Sequence, residues 1–312
     1  LFRRRGELAR AIRIHQNLVA RTELSPQQRI EAMVSLGQDY LSAGVFDQSE
    51  RIFQEVVEVG GKHLVLALRC LLDIYQQEKS WQKAIHAAKK LESSSGEDQR
   101  EVIAHHYCEL VEESLKDGQL VQAAAYLKRA ATTYSGSVRT SLLQAKMATE
   151  EGKYEAAVKY YQQVESQDPD YLSEAVPQIV ACYYQLGREK ECMAYLRGLL
   201  NQYSRISIAL TLAEGIKKYH NIEEAVDFVA DHLTHHASIR GLNQLIQWHI
   251  DTSYGKVKSK LQVLHNITTN LLRNKPIYRC RNCGFSGNLL HWLCPSCKRW
   301  NNMKPIHGLE GD

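Results

Sequence analysis

The sequence has 312 residues, 44% hydrophobic and 24% charged, with six prolines and eighteen glycines. That balance excludes collagen-like and Pro-rich disordered chains, and no run of about eighteen uncharged apolar residues is present to span a membrane. The net charge of +4 divides unevenly: residues 252–309 hold ten Lys/Arg and no acid, whereas residues 1–251 hold 29 bases against 33 acids, so an acidic body precedes a basic end suited to a different partner.

The chain opens at Leu1 inside a repeating pattern, so any membrane anchor is expected upstream of it. Gly6, Gly44, Lys79, Gly118, Gly152, Gly187 and His220 recur at intervals of 33–39 residues. Five residues after each lies a small side chain: Ala11, Ser49, Ala84, Ala123, Ala157, Cys192 and Ala225. Two residues after each, with Glu189 the exception, lies a large apolar one, such as Phe46, Trp81 or Tyr154. Apolar positions recur nine and twelve residues on, as in Phe53/Val56 and Leu196/Leu199. These offsets fall three or four apart and make one stripe of an amphipathic helix. A second stripe, such as Leu68, Leu71, Leu72 and Tyr75, precedes each turn. Each unit is therefore an antiparallel helix pair, with Gly ending the first helix, and the pairs must stack to bury their remaining apolar faces. Lys79 and His220 replace the turn glycine, so irregular turns are expected there.

Leu36-Gly37-x2-Tyr40, Ser49 and Phe53, with Gly152, Tyr154, Ala157, Tyr161 and Pro169, resemble the tetratricopeptide repeat. Six complete units are expected near 30–63, 65–98, 104–137, 138–171, 173–205 and 206–239. Residues 1–24 read as the second half of a truncated first repeat, and a terminal helix pair is expected at about 240–272. The predicted fold is an all-α superhelical solenoid over residues 1–272, whose groove binds protein. Facing that groove, first helices are expected to present Val34, Gln38, His105, Cys108, Glu112, Arg139, Lys146 and Tyr184. Neighbouring residues on a helix point about 100° apart, so His105-His106 and His235-His236 do not form paired ligands. No phosphate loop, Gly-x-Ser-x-Gly or His-Glu-x2-His motif is present, and the carboxylates are dispersed, so no enzyme is predicted.

The last module, residues 276–307, carries Cys280, Cys283, Cys294 and Cys297 in a C-x2-C-x10-C-x2-C array. Each C-x2-C turns tightly enough to aim two thiolates at one ion, with Gly284 placed for the positive φ after the second Cys. Four thiolates close a tetrahedral site and leave no position for water, so the metal is structural. So short a module lacks a self-sufficient core, and one Zn(2+) or Fe ion supplies the missing folding free energy. Its knuckles and aromatics resemble rubredoxin. The shorter gap between knuckles and the lack of acidic surface favour zinc over iron. The ribbon is expected to pack on the last helices, with the basic rim of Arg281, Lys298 and Arg299 offered to partners.

The combination of motifs narrows the resemblance. Phe2-Arg3-Arg4-Arg5-Gly6-Glu7, Leu36-Gly37-x-Asp39-Tyr40, Trp81-Gln82-Lys83-Ala84-Ile85, Tyr278-x-Cys280-x2-Cys283-Gly284-Phe285, Cys294-Pro295-Ser296-Cys297 and Lys304-Pro305-Ile306-x-Gly308-Leu309 resemble the bacterial lipopolysaccharide assembly protein B family. That resemblance implies a non-enzymatic adaptor on the cytoplasmic face of the bacterial inner membrane, held by an N-terminal anchor helix. It implies as partners a membrane-bound FtsH-type protease, the lipid A pathway deacetylase that acts on UDP-3-O-acyl-N-acetylglucosamine, and other inner-membrane lipopolysaccharide assembly proteins. Proteolysis of the deacetylase then limits lipopolysaccharide output. The basic end suits contact with anionic lipid, and a homodimer is left open. The alternative is a nucleic-acid-binding repeat and ribbon protein, since basic ribbons with exposed aromatics serve that purpose.

Overall fold

The structure is a computed structural model and describes residues 2–273, 275–309 and 311. The alternation of apolar stripes and turns yields α1 (Leu8–Val19), α2 (Pro26–Ser42), α3 (Phe46–Val59), α4 (Leu64–Gln77), α5 (Trp81–Ser95), α6 (Arg100–Lys116) and α7 (Leu120–Thr133) in a first compact unit, Leu1–Ser137. The second unit, Val138–Asp312, holds α8 (Val138–Glu150), α9 (Tyr154–Gln167), α10 (Leu172–Leu186), α11 (Glu189–Tyr203), α12 (Ile206–Tyr219), α13 (Ile222–His235), α14 (Ile239–Thr252) and α15 (Gly255–Arg273). A small sheet follows in the same unit: β1 (Tyr278–Cys280), β2 (Ser286–Gly287) and β3 (Met303–Pro305), antiparallel in the order β2-β1-β3. The architecture is thus a tetratricopeptide-repeat array of helix pairs plus a C-terminal ribbon.

The seven small residues explain the pairing. All are between 0 and 5% exposed; from Ser49 onward each lies where the second helix of a pair approaches the first, and Ala11 is on α1, which packs on α2. Ser49 Oγ donates to the Gly37 carbonyl at 2.8 Å, a contact no larger side chain would permit. A Cβ on Gly37 would sit 2.9 Å from the tip of the Phe53 ring, so glycine is required there by close approach.

The turns follow one geometry with one exception. Gly44, Gly118, Gly152 and Gly187 adopt φ between +65° and +74°, and Lys79, against the irregular turn expected of it, adopts φ +57°. A left-handed non-glycine residue costs about 1–2 kcal/mol, partly offset by the freedom glycine has when unfolded. Lys79→Gly is expected to stabilise the first unit by roughly 0.5–1 kcal/mol, read as a rise in the urea midpoint. A fall in the midpoint would show that the Lys79 side chain holds the turn. At the other departure, His220 takes φ −120°, and the Asn221 side chain instead accepts the Glu224 N–H at 2.7 Å to start α13.

The opening residues are tied down by a buried charge. Asp39 on α2 is fully buried and accepts from Arg3 Nη1 at 3.0 Å, with His15 Nδ1 on its other oxygen. A buried carboxylate is tolerated only when paired in this way. In the second unit, Tyr161, Tyr171, Leu172, Ile179, Leu212 and Trp248 lie in one continuous core. The terminal pair α14/α15 is joined by Thr268 Oγ1 donating to Asn243 Oδ1 at 2.5 Å, and Thr268 is the one buried residue described on α15.

Candidate metal centre

Two knuckles bring the four cysteines together. After β1, the Gly284 N–H donates to the Cys280 carbonyl at 3.0 Å with Gly284 at φ +78°, as its position predicts. In the second knuckle the Lys298 N–H donates to the Cys294 carbonyl at 3.0 Å, with Lys298 itself left-handed at φ +54°. The four sulfurs lie within 4.8 Å of one another, with Cys280–Cys297 at 3.7 Å and Cys283–Cys294 at 3.6 Å. A tetrahedron with metal–sulfur bonds of about 2.3 Å has edges of about 3.8 Å, so the donor set fits one ion. The Phe285 backbone N–H beside Cys283 brings that thiol down to about 6, toward the thiolate that a metal needs. Cys280 and Cys294 are buried, whereas Cys283 is exposed. These residues form a single metal-ion site.

The ribbon is seated mainly on an earlier part of the array than the last helices, where the sequence placed it. Its dock is the turn at 169–171 and the start of α10. There Tyr171, fully buried, donates its hydroxyl proton to the Met303 carbonyl at 2.9 Å and sets its ring 5.2 Å from that of Trp292. Leu290 and Trp292 pack into the core of the helical unit. The Arg139 guanidinium lies 5.8 Å over the Trp292 ring. Buried Lys304 pairs with Asp168 and stands 4.3 Å above the Tyr171 ring. Tyr278 donates to Glu174, and burial, then this hydrogen bond, pushes its hydroxyl well above the ordinary tyrosine value. Asp170 receives Arg281, Arg205 Nη2 at 3.3 Å and His307 Nε2 at 3.1 Å. Burial works to raise the Asp170 carboxyl, yet the Arg281 charge and the hydrogen bonds from Arg205 and His307 hold it below its ordinary value. The physical reason for this seat is charge matching: the acids sit on the turn before α10, and two of the bases sit on the ribbon. The last helices receive a lesser contact, Ile239 N–H to the Leu309 carbonyl at 2.9 Å.

The residues read as partner contacts scatter. His105 and Arg139 are buried, at 2% and 3% exposure, as are Val34 and Cys108. That corrects their groove-facing placement: a helix packed against neighbours buries a wider arc than one stripe, and Arg139 is covered by Trp292 of the ribbon. His106 is also buried and stacks on Trp81, 5.8 Å between ring centres. Gln38 and Glu112 are half-buried, and exposed Lys146 lies 4.0 Å from Glu150. Arg281 is engaged by Asp170, whereas Lys298 and Arg299 are exposed beside the second knuckle. Tyr184, 37% exposed, borders an apolar cavity of about 310 Å³ among α10, α11 and α12, with Pro177, Val180, Met193 and Tyr219. Lys218 Nζ stands 4.1 Å over the Tyr184 ring.

Sequence reasoning missed Asp168, Tyr171, Asp170 and Glu174. Their signal was a cluster of acids beside Pro169 set against an acid-free C-terminal stretch. Three of the ribbon aromatics offer little face to nucleic acid: Tyr278 and Trp300 are each 8% exposed, and Trp292 is packed in the dock.

Two family descriptions match the chain: "Rubredoxin metal binding domain" over residues 278–305 and "Tetratricopeptide repeat" over residues 148–214. "Lipopolysaccharide assembly protein B" of Escherichia coli K12 is 36% identical over 312 residues, covering all of this chain and 80% of that protein. The protein of the same name from Haemophilus influenzae is 32% identical over 311 residues, 99% of this chain and 78% of that one. Among solved structures, a tetratricopeptide repeat protein from Parabacteroides merdae aligns with a TM-score of 0.36 at 14% identity, over 86% of this chain and 95% of that chain.

Proposed function

We propose, from the premise that the chain belongs to the lipopolysaccharide assembly protein B family, that it is a non-enzymatic adaptor on the cytoplasmic face of the inner membrane. It presents the lipid A pathway deacetylase to an FtsH-type protease and so limits lipopolysaccharide synthesis. The observation that carries this reading is the closed four-sulfur site locked onto a repeat array. A metal with four protein thiolates has no position for substrate or water, so the ion holds the fold and the working part is surface. Zinc is the metal proposed.

Two surfaces are available for the client. The cavity beside Tyr184 suits an apolar side chain, and the exposed Lys298/Arg299 rim suits an acidic one. Both would face extended or helical segments of a partner, as repeat arrays do. The test uses the membrane-anchored protein in cells, with the half-life of the deacetylase as readout. Tyr184→Asp combined with Lys298→Glu and Arg299→Glu is expected to lengthen that half-life severalfold while metal content and helical signal stay unchanged. A half-life as short as with the parent protein would remove both surfaces from the adaptor reading.

A further inference from the structure

Helix α15 leaves uncovered a face of the kind that a solenoid ordinarily buries. Val257, Val263, Leu264, Ile267 and Leu271 are 50–59% exposed. At 3.6 residues per turn they occupy one arc about 120° wide, next to the stripe by which Leu261, Thr268 and Leu272 meet α14. Lys256 and Lys260 fall within the same arc, at its N-terminal end. Tyr254, 87% exposed, stands immediately before the helix. Asn270, Ser259 and Asn266 border the arc on its other edge, and Lys258, Gln262 and Arg273 lie on the opposite side.

We propose that α15 is an interfacial helix that lays this arc on an anionic lipid surface. Three observations select that occupant. Bases accompany the apolar arc, and residues 252–309 contain no acid, so the complementary surface is anionic. A second copy meeting it symmetrically, through the same face, would bring the same bases and no counter-charge. The arc is a single convex ridge, which a fluid headgroup layer accommodates and which a folded partner would have to match with a groove. Exposed Tyr254 has the amphipathic ring favoured at headgroup depth. The lysine stems run along the apolar surface while their ammonium groups reach the phosphates. The inference stands on α15 alone and holds whether or not the chain presents a client to a protease.

The test is sedimentation of the chain with phosphatidylcholine vesicles containing about 30% phosphatidylglycerol, against pure phosphatidylcholine, at about 0.1 M salt. Preferential binding to the anionic vesicles is expected, weakening as salt rises to about 0.5 M. Ile267→Gln with Leu271→Gln, and separately Lys256→Glu with Lys260→Glu, are each expected to lower the affinity on the order of tenfold. All four positions are exposed, so circular dichroism is expected to stay unchanged in both variants. As a second readout, Tyr254→Trp is expected to blue-shift its emission on adding anionic vesicles. No binding at low salt, or binding that both double variants leave intact, would overturn the proposal. A dimer in light scattering that Ile267→Gln with Leu271→Gln dissolves would equally overturn it and assign the arc to a second copy.

Discussion

Replacing Cys280 and Cys283 by serine is expected to strip the metal and unfold residues 278–305 while α1–α7 keep their helical signal. Structural zinc contributes on the order of 10 kcal/mol or more to modules of this kind, far above what a short three-stranded sheet supplies. Stacked repeats depend on near neighbours, so the first unit should not register the loss. The second unit should. Leu290, Trp292 and the carbonyl of Met303 leave its core, and Tyr171 and Lys304's partner Asp168 are bared. Metal analysis should therefore fall from one zinc per chain to none, and hydrogen exchange should rise along α10 and the turn before it. If the ribbon amides stay protected without metal, the sheet folds by its own packing and the ion is incidental.

Tyr171→Ala is the second large effect expected. The side chain is fully buried, and removing such an aromatic costs about 3–5 kcal/mol through lost transfer free energy and the cavity left behind. The substitution also takes away the Trp292 ring contact, the hydrogen bond to Met303 and the surface on which Lys304 rests. Metal should remain bound, because no ligand is touched, while the ribbon parts from the helices. The expected observation is a red-shifted tryptophan emission with one zinc per chain retained and a lowered midpoint for the second unit. Tyr171→Phe, which keeps the ring, should lose only about 1–2 kcal/mol. A loss below about 1 kcal/mol for alanine would mean that the dock is held elsewhere.

The helix pairs and the four ligands were legible because both are local. A small residue at a fixed offset from a turn reports helix-to-helix approach within one unit, and Ala84, Ala123, Ala157 and Ala225 are all fully buried. Likewise, C-x2-C is a knuckle complete within a few residues. The dock was harder to read: the acids cluster beside Pro169, but which base or hydroxyl each one meets emerges only when Lys304 and Tyr278 are brought to Asp168 and Glu174 across the chain. Burial of His105 and Arg139 was missed for a related reason: a polar residue on a first helix reads as surface until what covers it is in place, for Arg139 the ring of Trp292 from far along the chain. Lys79 shows the converse. Its side chain suggested an altered turn, yet the backbone kept the left-handed step, since the helices on either side determine the turn and one strained residue costs less than repacking them.

The hydrogen bonds and ion pairs by which the ribbon meets the turn at 168–171 and Glu174 join residues 104 to 137 positions apart. A ribosome adds about 5–20 residues per second, so the turn carrying Asp168 and Tyr171, with Glu174 at the start of α10, emerges on the order of ten seconds before the segments that cover it. Helix pairs close locally and far faster, leaving a nascent chain whose array is formed around an open seat of acids and one large aromatic ring. On the metal-dependent folding expected above, that interval ends with capture of a metal ion, which gives β1 and β3 the shape that fits. A molecule made in metal-poor conditions is therefore expected to stay unfinished, its array built and Tyr171 still open to whatever surveys nascent proteins for exposed apolar surface.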